Sequence, residues 1–330
     1  MINLFKKVNI TKLLVTLTII FLIITLAVFP DKYSKTTYDG VVLWAISVMP
    51  SLLPYFFLTA ILTKLNVLTN VLDKFTPLTK KVFHLQGISF YAFFMSILSG
   101  YPVGSKLTAD LYENGLIDKA ESFKLGLLCS TSGPLFIIGA VGTNMFLSKK
   151  AGFILYITHV LSALLTAFIF RGKTKPKFNN NLFIPAKKCD NILYESIYSS
   201  VISVLVVGGF VSVFYVISQI LLDLNVLYPL TFLIETLLFP LKISTNQSVA
   251  FSVGLIEFTK GAKLLSNLGL TAVNLSLTNF LITFGGVSVI MQSLAFLKKT
   301  GVKTGAFIFG KLIQAVISTL LSYISLIIFL

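Results

Sequence analysis

An apolar run that begins at Ile88 stops at Ser99-Gly100-Tyr101-Pro102-Val103-Gly104-Ser105-Lys106, too soon to cross a bilayer. Gly leaves the backbone unrestrained and Pro lacks an N–H, so this stretch ends a helix. A second break, Ser130-Thr131-Ser132-Gly133-Pro134, splits the apolar run Leu125 to Leu147. Looser breaks recur at Glu257-Phe258-Thr259-Lys260-Gly261 and at Thr283-Phe284-Gly285-Gly286. At membrane depth such backbone survives only where protein or a water-filled cavity satisfies its polar groups. Interrupted segments at matching positions of two halves mark the substrate site of a transporter.

Composition sets the solvent. The chain is 55% hydrophobic and 12% charged, with a mean hydropathy of +0.90, whereas a soluble domain carries about 25% charge. An integral membrane protein follows. The net charge of +15 reads as lysines in cytoplasmic loops; no basic-aromatic motif supports a nucleic-acid partner. Cys129 and Cys189 fall in an apolar run and a basic loop, so no disulfide is expected. With no nucleophile elbow, phosphate loop or metal-ligand cluster, the reading is of a non-enzyme without cofactor or metal.

In order, the chain reads as follows. Lys6, Lys7 and Lys12 precede an apolar run ending at Pro30-Asp31-Lys32 with no small-residue cleavage site. That predicts an uncleaved first transmembrane helix, Thr11 to Phe29, starting in the cytoplasm, and an outer loop, Pro30 to Asp39. Helix two, Gly40 to Leu62, carries kinks at Pro50 and Pro54. An amphipathic cytoplasmic segment, Lys64 to Gln86, precedes a re-entrant hairpin, Ile88 to Leu116. Leu125 to Leu147 is a discontinuous span and Gly152 to Phe170 a continuous one. The pattern then repeats. Leu65-Asn66-Val67-Leu68 matches Leu224-Asn225-Val226-Leu227, Gly104-Ser105-Lys106-Leu107 matches Gly261-Ala262-Lys263-Leu264, and Lys149-Lys150 matches Lys298-Lys299. The expected fold is an all-α polytopic membrane protein of two inverted repeats with re-entrant hairpins and discontinuous helices. Residues 1–39 are an N-terminal helix and outer loop, 40–170 the first repeat, 171–195 a basic cytoplasmic linker and 196–330 the second repeat. Lys149 and Lys150 then lie outside, against the positive-inside rule.

The breaks suggest chemistry. A half-helix starting near Pro134, with Thr131 or Ser132 as its N-cap, aims its positive end at the bilayer middle. Gly285, Gly286 and Ser288 offer a second such end, and helix N-termini bind carboxylates and phosphates. Lys106 and Lys263 either add positive charge or snorkel to an interface. Hydroxyls come from Ser99, Tyr101, Ser130, Thr131, Ser132, Thr259 and Thr283, and backbone from Gly100, Pro102, Gly104, Gly133 and Pro134. Such a site suits a small anion or a polar aromatic ligand stacked on Tyr101. Glu257 is either a group coupling transport to a proton or sodium ion, or an ion-pair partner of Lys260 or Lys263. Mid-span His159, whose counterpart by offset is Lys311, either bonds a neighbouring helix or relays protons.

The stretch from Leu98 to Thr108 resembles the YlbJ-like sporulation integral membrane proteins, which belong with the nucleoside-recognition "Gate" family related to concentrative nucleoside transporters. Thr131-Ser132-Gly133-Pro134-Leu135-Phe136-Ile137-Ile138-Gly139-Ala140-Val141 and Pro50-Ser51-Leu52-Leu53-Pro54-Tyr55-Phe56 carry the likeness further. It runs from about Gly40 onward. The resemblance implies a role in endospore formation, with dipicolinate, a small aromatic dicarboxylate, exported from the mother cell across the outer forespore membrane. A nucleoside or related ligand, and a non-transporting role in spore envelope assembly, are the alternatives. Related carriers often form homo-oligomers.

Overall fold

A computed structural model describes residues 10–65, 73–172 and 191–329, and every element among them is helical. The basic linker and Cys189 lie outside the described residues, as does part of the Lys64 to Gln86 segment. Helix α1 is Ile10–Val28 and α2 is Pro30–Leu65. The segment expected to be an outer loop is thus the first third of α2. Pro30 occupies the first helical turn with Asp31 beside it, both favourable there. Farther along, α2 widens into a π-turn at Trp44–Val48, where the Met49 N–H reaches back to the Trp44 carbonyl. Pro50 follows at once and has no N–H to continue the α ladder. No boundary falls between Asp39 and Gly40.

The short helix α3 (Thr76–Val82) turns through 93° into α4 (Gly87–Ser99). After the first break comes α5 (Val103–Glu113), then α6 (Lys119–Cys129), the second break, the wide-wound α7 (Leu135–Met145) and α8 (Lys149–Ile169). The second half runs α9 (Ile192–Asp223), α10 (Tyr228–Leu237), α11 (Thr245–Ile256), α12 (Phe258–Asn267), α13 (Ala272–Phe284), α14 (Gly286–Leu297) and α15 (Thr304–Phe329). The element order of α2–α8 therefore recurs as α9–α15. Packing recurs with it. Helices α4, α5 and α6 pack on one another as α11, α12 and α13 do; α7 packs on α12 as α14 does on α5; α2 meets α9, and α8 meets α15.

Buried polar pins hold each hairpin to its broken helix. The Glu121 carboxylate of α6 accepts from the Gln86 N–H and from Ser89 Oγ (3.0 Å) at the start of α4. In the second half Asn274 of α13 takes that place, its Oδ1 accepting from Gln247 Nε2 at the start of α11. The outer helices are turned inside out relative to a soluble protein. On α15, Phe309, Leu312, Val316, Leu320 and Ile324 face outward while Lys311, Gln314, Ser318 and Ser322 are buried. Among the described residues six helical spans are long and apolar enough to cross a membrane, α1, α2, α8, α9, α15 and the broken pair α13–α14. Where α7 meets α8, Gly142 and Gly152 let the two backbones touch, the close approach that membrane helices use in place of hydrophobic drive.

Candidate functional site

The four breaks interlock in pairs. Gly100 ends α4 at φ +79°, a conformation Gly adopts freely, and its N–H donates to the Ser96 carbonyl at 2.7 Å. A Cβ there would lie 2.7 Å from the Gly133 nitrogen, so the first break nests against the second. Likewise Gly285 (φ +89°) and Gly286 (φ +60°) start α14 against the end of α11; a Cβ on Gly286 would lie 2.9 Å from the Gly254 oxygen. In each half the start of a broken helix sits on the carbonyl end of the inbound hairpin helix. Opposite ends of two helix dipoles meet, which is favourable without a ligand.

Around these contacts lies a small enclosed cavity of about 20 Å³. Three of the breaks contribute, together with the helix that starts at the fourth. Gly100 and Tyr101 come from the first, Ser132 and Gly133 from the second, Phe258 and Thr259 from the start of α12, and Val289 and Gln292 from the first turns of α14. Val48, Leu52 and Phe136 close the first-half side, and Val207 and Val211 the α9 side. The rings of Tyr101, Phe136 and Phe258 form one cluster, with centroids 5.9 and 5.4 Å from Phe258. Tyr101 also donates to the Ile282 carbonyl at 3.2 Å, joining the first break to the fourth. This volume holds one water; ligand pockets run to about 300–1,000 Å³. The centre is therefore in a closed state.

Behind the second break, away from the cavity, stands a buried polar wall. His159 Nε2 accepts from the Ser132 N–H at 2.9 Å. That fixes the neutral tautomer with its proton on Nδ1, which lies 2.8 Å from Thr283 Oγ1. Thr283 passes its own proton to Ser318 Oγ at 2.9 Å. Lys311 donates to the Ser130 carbonyl at 2.7 Å and to Gln314 Oε1 at 3.0 Å. Both backbone groups freed by the break thus find side-chain partners on α8 and α15, as membrane burial requires.

Of the residues singled out in the sequence, Gly100, Tyr101, Ser132, Gly133 and Thr259 line the cavity. Pro102 and Pro134 flank it, and Ser99 bonds back to the Met95 carbonyl within α4. Gly104 is packed against Ser96 and the Cys129 carbonyl, while Thr131 lies 2.8 Å from Ser96 Oγ. Ser130 and Thr283 belong to the polar wall. Ser288 is buried with no partner for its hydroxyl, and Gly285 and Gly286 form the α11 contact. Two expectations need correcting. Neither Thr131 nor Ser132 caps α7, because no side chain does; the Ile137 N–H bonds the Gly133 carbonyl, and His159 holds Ser132. Glu257 pairs with neither lysine: its Oε2 caps α12 by accepting from the Lys260 N–H at 2.7 Å, and its Oε1 has no hydrogen-bond partner.

The lysines also sort differently. Lys263 is exposed. Lys106 faces a separate vestibule of about 190 Å³ between α2, α5 and α9, lined by Phe56, Thr59, Thr63, Ser200 and Ser203 among others. Lys260, by contrast, is only 4% exposed. Its ammonium donates to Gln219 Oε1 (2.9 Å), Ser218 Oγ (3.1 Å) and the Tyr215 carbonyl (3.2 Å), and lies 4.4 Å from the Tyr215 ring centre. Sequence reasoning missed Gln292, Phe258 and the buried, hydrogen-bonded position of Lys260 because helix phase, not composition, decides which side chain faces inward.

Broken helices interlocked around a closed central cavity, under apolar outer faces, define an all-α polytopic membrane protein with its irregular backbone gathered at the core. Among known proteins, the chain is similar to the sporulation integral membrane protein YlbJ of Bacillus subtilis (strain 168): 27% identical over 333 residues, covering 94% of this chain and 81% of the relative. The YlbJ-like resemblance read from the motifs thus extends over nearly the full length. No family model matches the chain, and no solved structure matches it.

Proposed function

We propose that the chain is a transporter acting in sporulation, moving a small anionic metabolite, dipicolinate, from the mother cell across the outer forespore membrane. Two inverted repeats alternate access to the central cavity. The observation that carries this reading is the convergence on one cavity of three backbone breaks and of the helix that starts at the fourth. A packing-only role for the breaks gives no reason for both halves to surround the same space. Similarity to a sporulation membrane protein supports the setting.

Orientation follows from charge. Ion pairs Lys64–Glu195 (2.8 Å) and Lys299–Glu113 (3.2 Å) lie at one end of the bundle, together with Lys80, Lys81, Lys119, Arg171 and Lys298. Lys32–Asp223 (2.8 Å) lies at the other, where Asp31, Asp39 and Glu235 offset Lys149, Lys150 and Lys242. The positive-inside rule supports the lysine-rich end as the cytoplasmic one, and a cytoplasmic N-terminus and an inverted second half are part of the same reading. Glu257, fully buried with one free oxygen, is the group that couples transport to a proton or sodium ion.

Uptake of radiolabelled dipicolinate into liposomes holding the purified protein tests the reading, with uridine alongside. Gln292→Leu and Thr259→Val, which change the cavity wall at nearly constant volume, are expected to abolish accumulation while Lys263→Ala leaves it intact. The apolar and aromatic wall also favours a nucleoside, so uridine accumulation alone would replace the anion by that ligand. No flux of either solute under any ion gradient would leave envelope assembly as the role.

A further inference from the structure

The two halves share a packing scheme, so each cleft in one half has an equivalent place in the other. Gly104 and Gly261 are equivalent: each presses its backbone on the inbound hairpin helix, Gly104 at Ser96 and Gly261 at Gly254. Counting back one residue from each glycine, Val103 corresponds to Lys260. Val103 lines the 190 Å³ vestibule, which lies between α2, α5 and α9 near Lys64, with Phe56 in its wall. The equivalent space at the opposite end would be bounded by the start of α2 and by the stretch of α9 around Tyr215 and Ser218. There the lysine side chain fills it.

The asymmetry is one of side chains, because α2 and α9 stay in contact along both halves of α2. At the Lys260 end a Cβ on Gly40 would lie 3.0 Å from Tyr215 Cβ, and one on Gly208 would lie 2.7 Å from Trp44 Cδ2. At the Lys64 end hydroxyl-bearing Thr59, Thr63, Ser200 and Ser203 line the vestibule. The Lys260 ammonium is held by three neutral acceptors, and among the described residues no carboxylate lies within 4 Å of it. It is next in sequence to the cavity residue Thr259. A buried cation so held is a stopper that can be drawn off by an anion, unlike one locked in an ion pair.

We infer that Lys260 is the stopper of the second half-path: it seals the central cavity from the Asp223 end, while the vestibule beside Lys106 opens at the Lys64 end. This rests on the transport reading for its purpose, but its test needs no transported solute. In a Cys189→Ser background, where Cys129 is fully buried, Ser203→Cys reports on the vestibule and Ser218→Cys on the sealed side. With a membrane-impermeant maleimide on protein in open membrane sheets, the thiol at 203 is expected to react and the thiol at 218 to be protected. Adding Lys260→Ala, or Lys260→Gln as the milder change, is expected to raise the rate at 218 by about tenfold, the factor one lost charged hydrogen bond brings. The rate at 203 should stay unchanged, which shows that the variant is folded. Protection at 218 that persists in both Lys260 variants overturns the inference, as does a thiol at 218 that already reacts in the parent. Exposure at 218 without dipicolinate or uridine flux upholds the stopper and removes the transport reading; flux with 218 permanently protected does the reverse.

Discussion

The first-half hairpin turns through three residues, Gly100 to Pro102, and leaves a vestibule beside it; the second-half hairpin turns at Glu257 alone, and the Lys260 side chain fills the equivalent place. Both are built on the same order of helices and the same neighbours. The difference lies in what fills the ends. Tyr101 spans from the first break to the fourth, whereas Glu257 is spent on capping its own helix. A framework repeated twice thus carries two different closures. Packing is symmetric between the halves while filling is not.

The comparison can be broken most severely at the shared contacts. Gly286→Val puts a β-branched residue at φ +60° against the Gly254 carbonyl, and Gly100→Leu does the same against Gly133. Each is expected to cost more than about 3 kcal/mol and to yield little folded protein, seen as loss of the monodisperse peak in detergent. Next come the hairpin pins. Glu121→Ala strips bonds from the Gln86 N–H and Ser89, and should lower the melting temperature more than Asn274→Ala, by about 1–3 kcal/mol in stability. An equal loss at both sites would show that charge adds nothing to the first-half pin. The cavity variant Gln292→Leu should leave melting within about 0.5 kcal/mol of the parent, so any flux defect reports on the site. Smallest is Lys64→Ala, which removes an exposed ion pair at the vestibule mouth worth about 0–1 kcal/mol.

Much of this architecture is written in plain view. Gly100, Gly133 and Gly285 announce their breaks because Gly and Pro inside apolar runs have few other reasons to occur, and the offsets of Gly104 to Gly261 and Lys149 to Lys298 expose the repeat. Helix phase is harder. Lys260 and Lys263 both look available beside a break, yet three residues along a helix put one at the α9 contact and the other on the surface. The charged start of α2 reads as a loop because Pro30-Asp31-Lys32 suits a turn as well as a first helical turn; only Tyr33 and Lys32 meeting Asp223, far away in sequence, decide between them. The polar wall was half legible: His159 and Lys311 stand out as ionisable groups in apolar runs, but their partners, the Ser132 N–H and Ser130 carbonyl, are backbone atoms that composition does not reveal.

The wide turn at Trp44–Val48 has a mechanical meaning. Helix α2 is a beam lying along α9, fastened lightly at either tip, by Lys32 to Asp223 and by Lys64 to Glu195. Between the tips, Trp44 rests on Gly208 as a journal rests in a bearing, beside the slack turn that gives the beam a joint. A tilt of α2 about this joint would cost one ion pair at one tip and leave the other standing, and a pair of that kind is worth only about 0–1 kcal/mol.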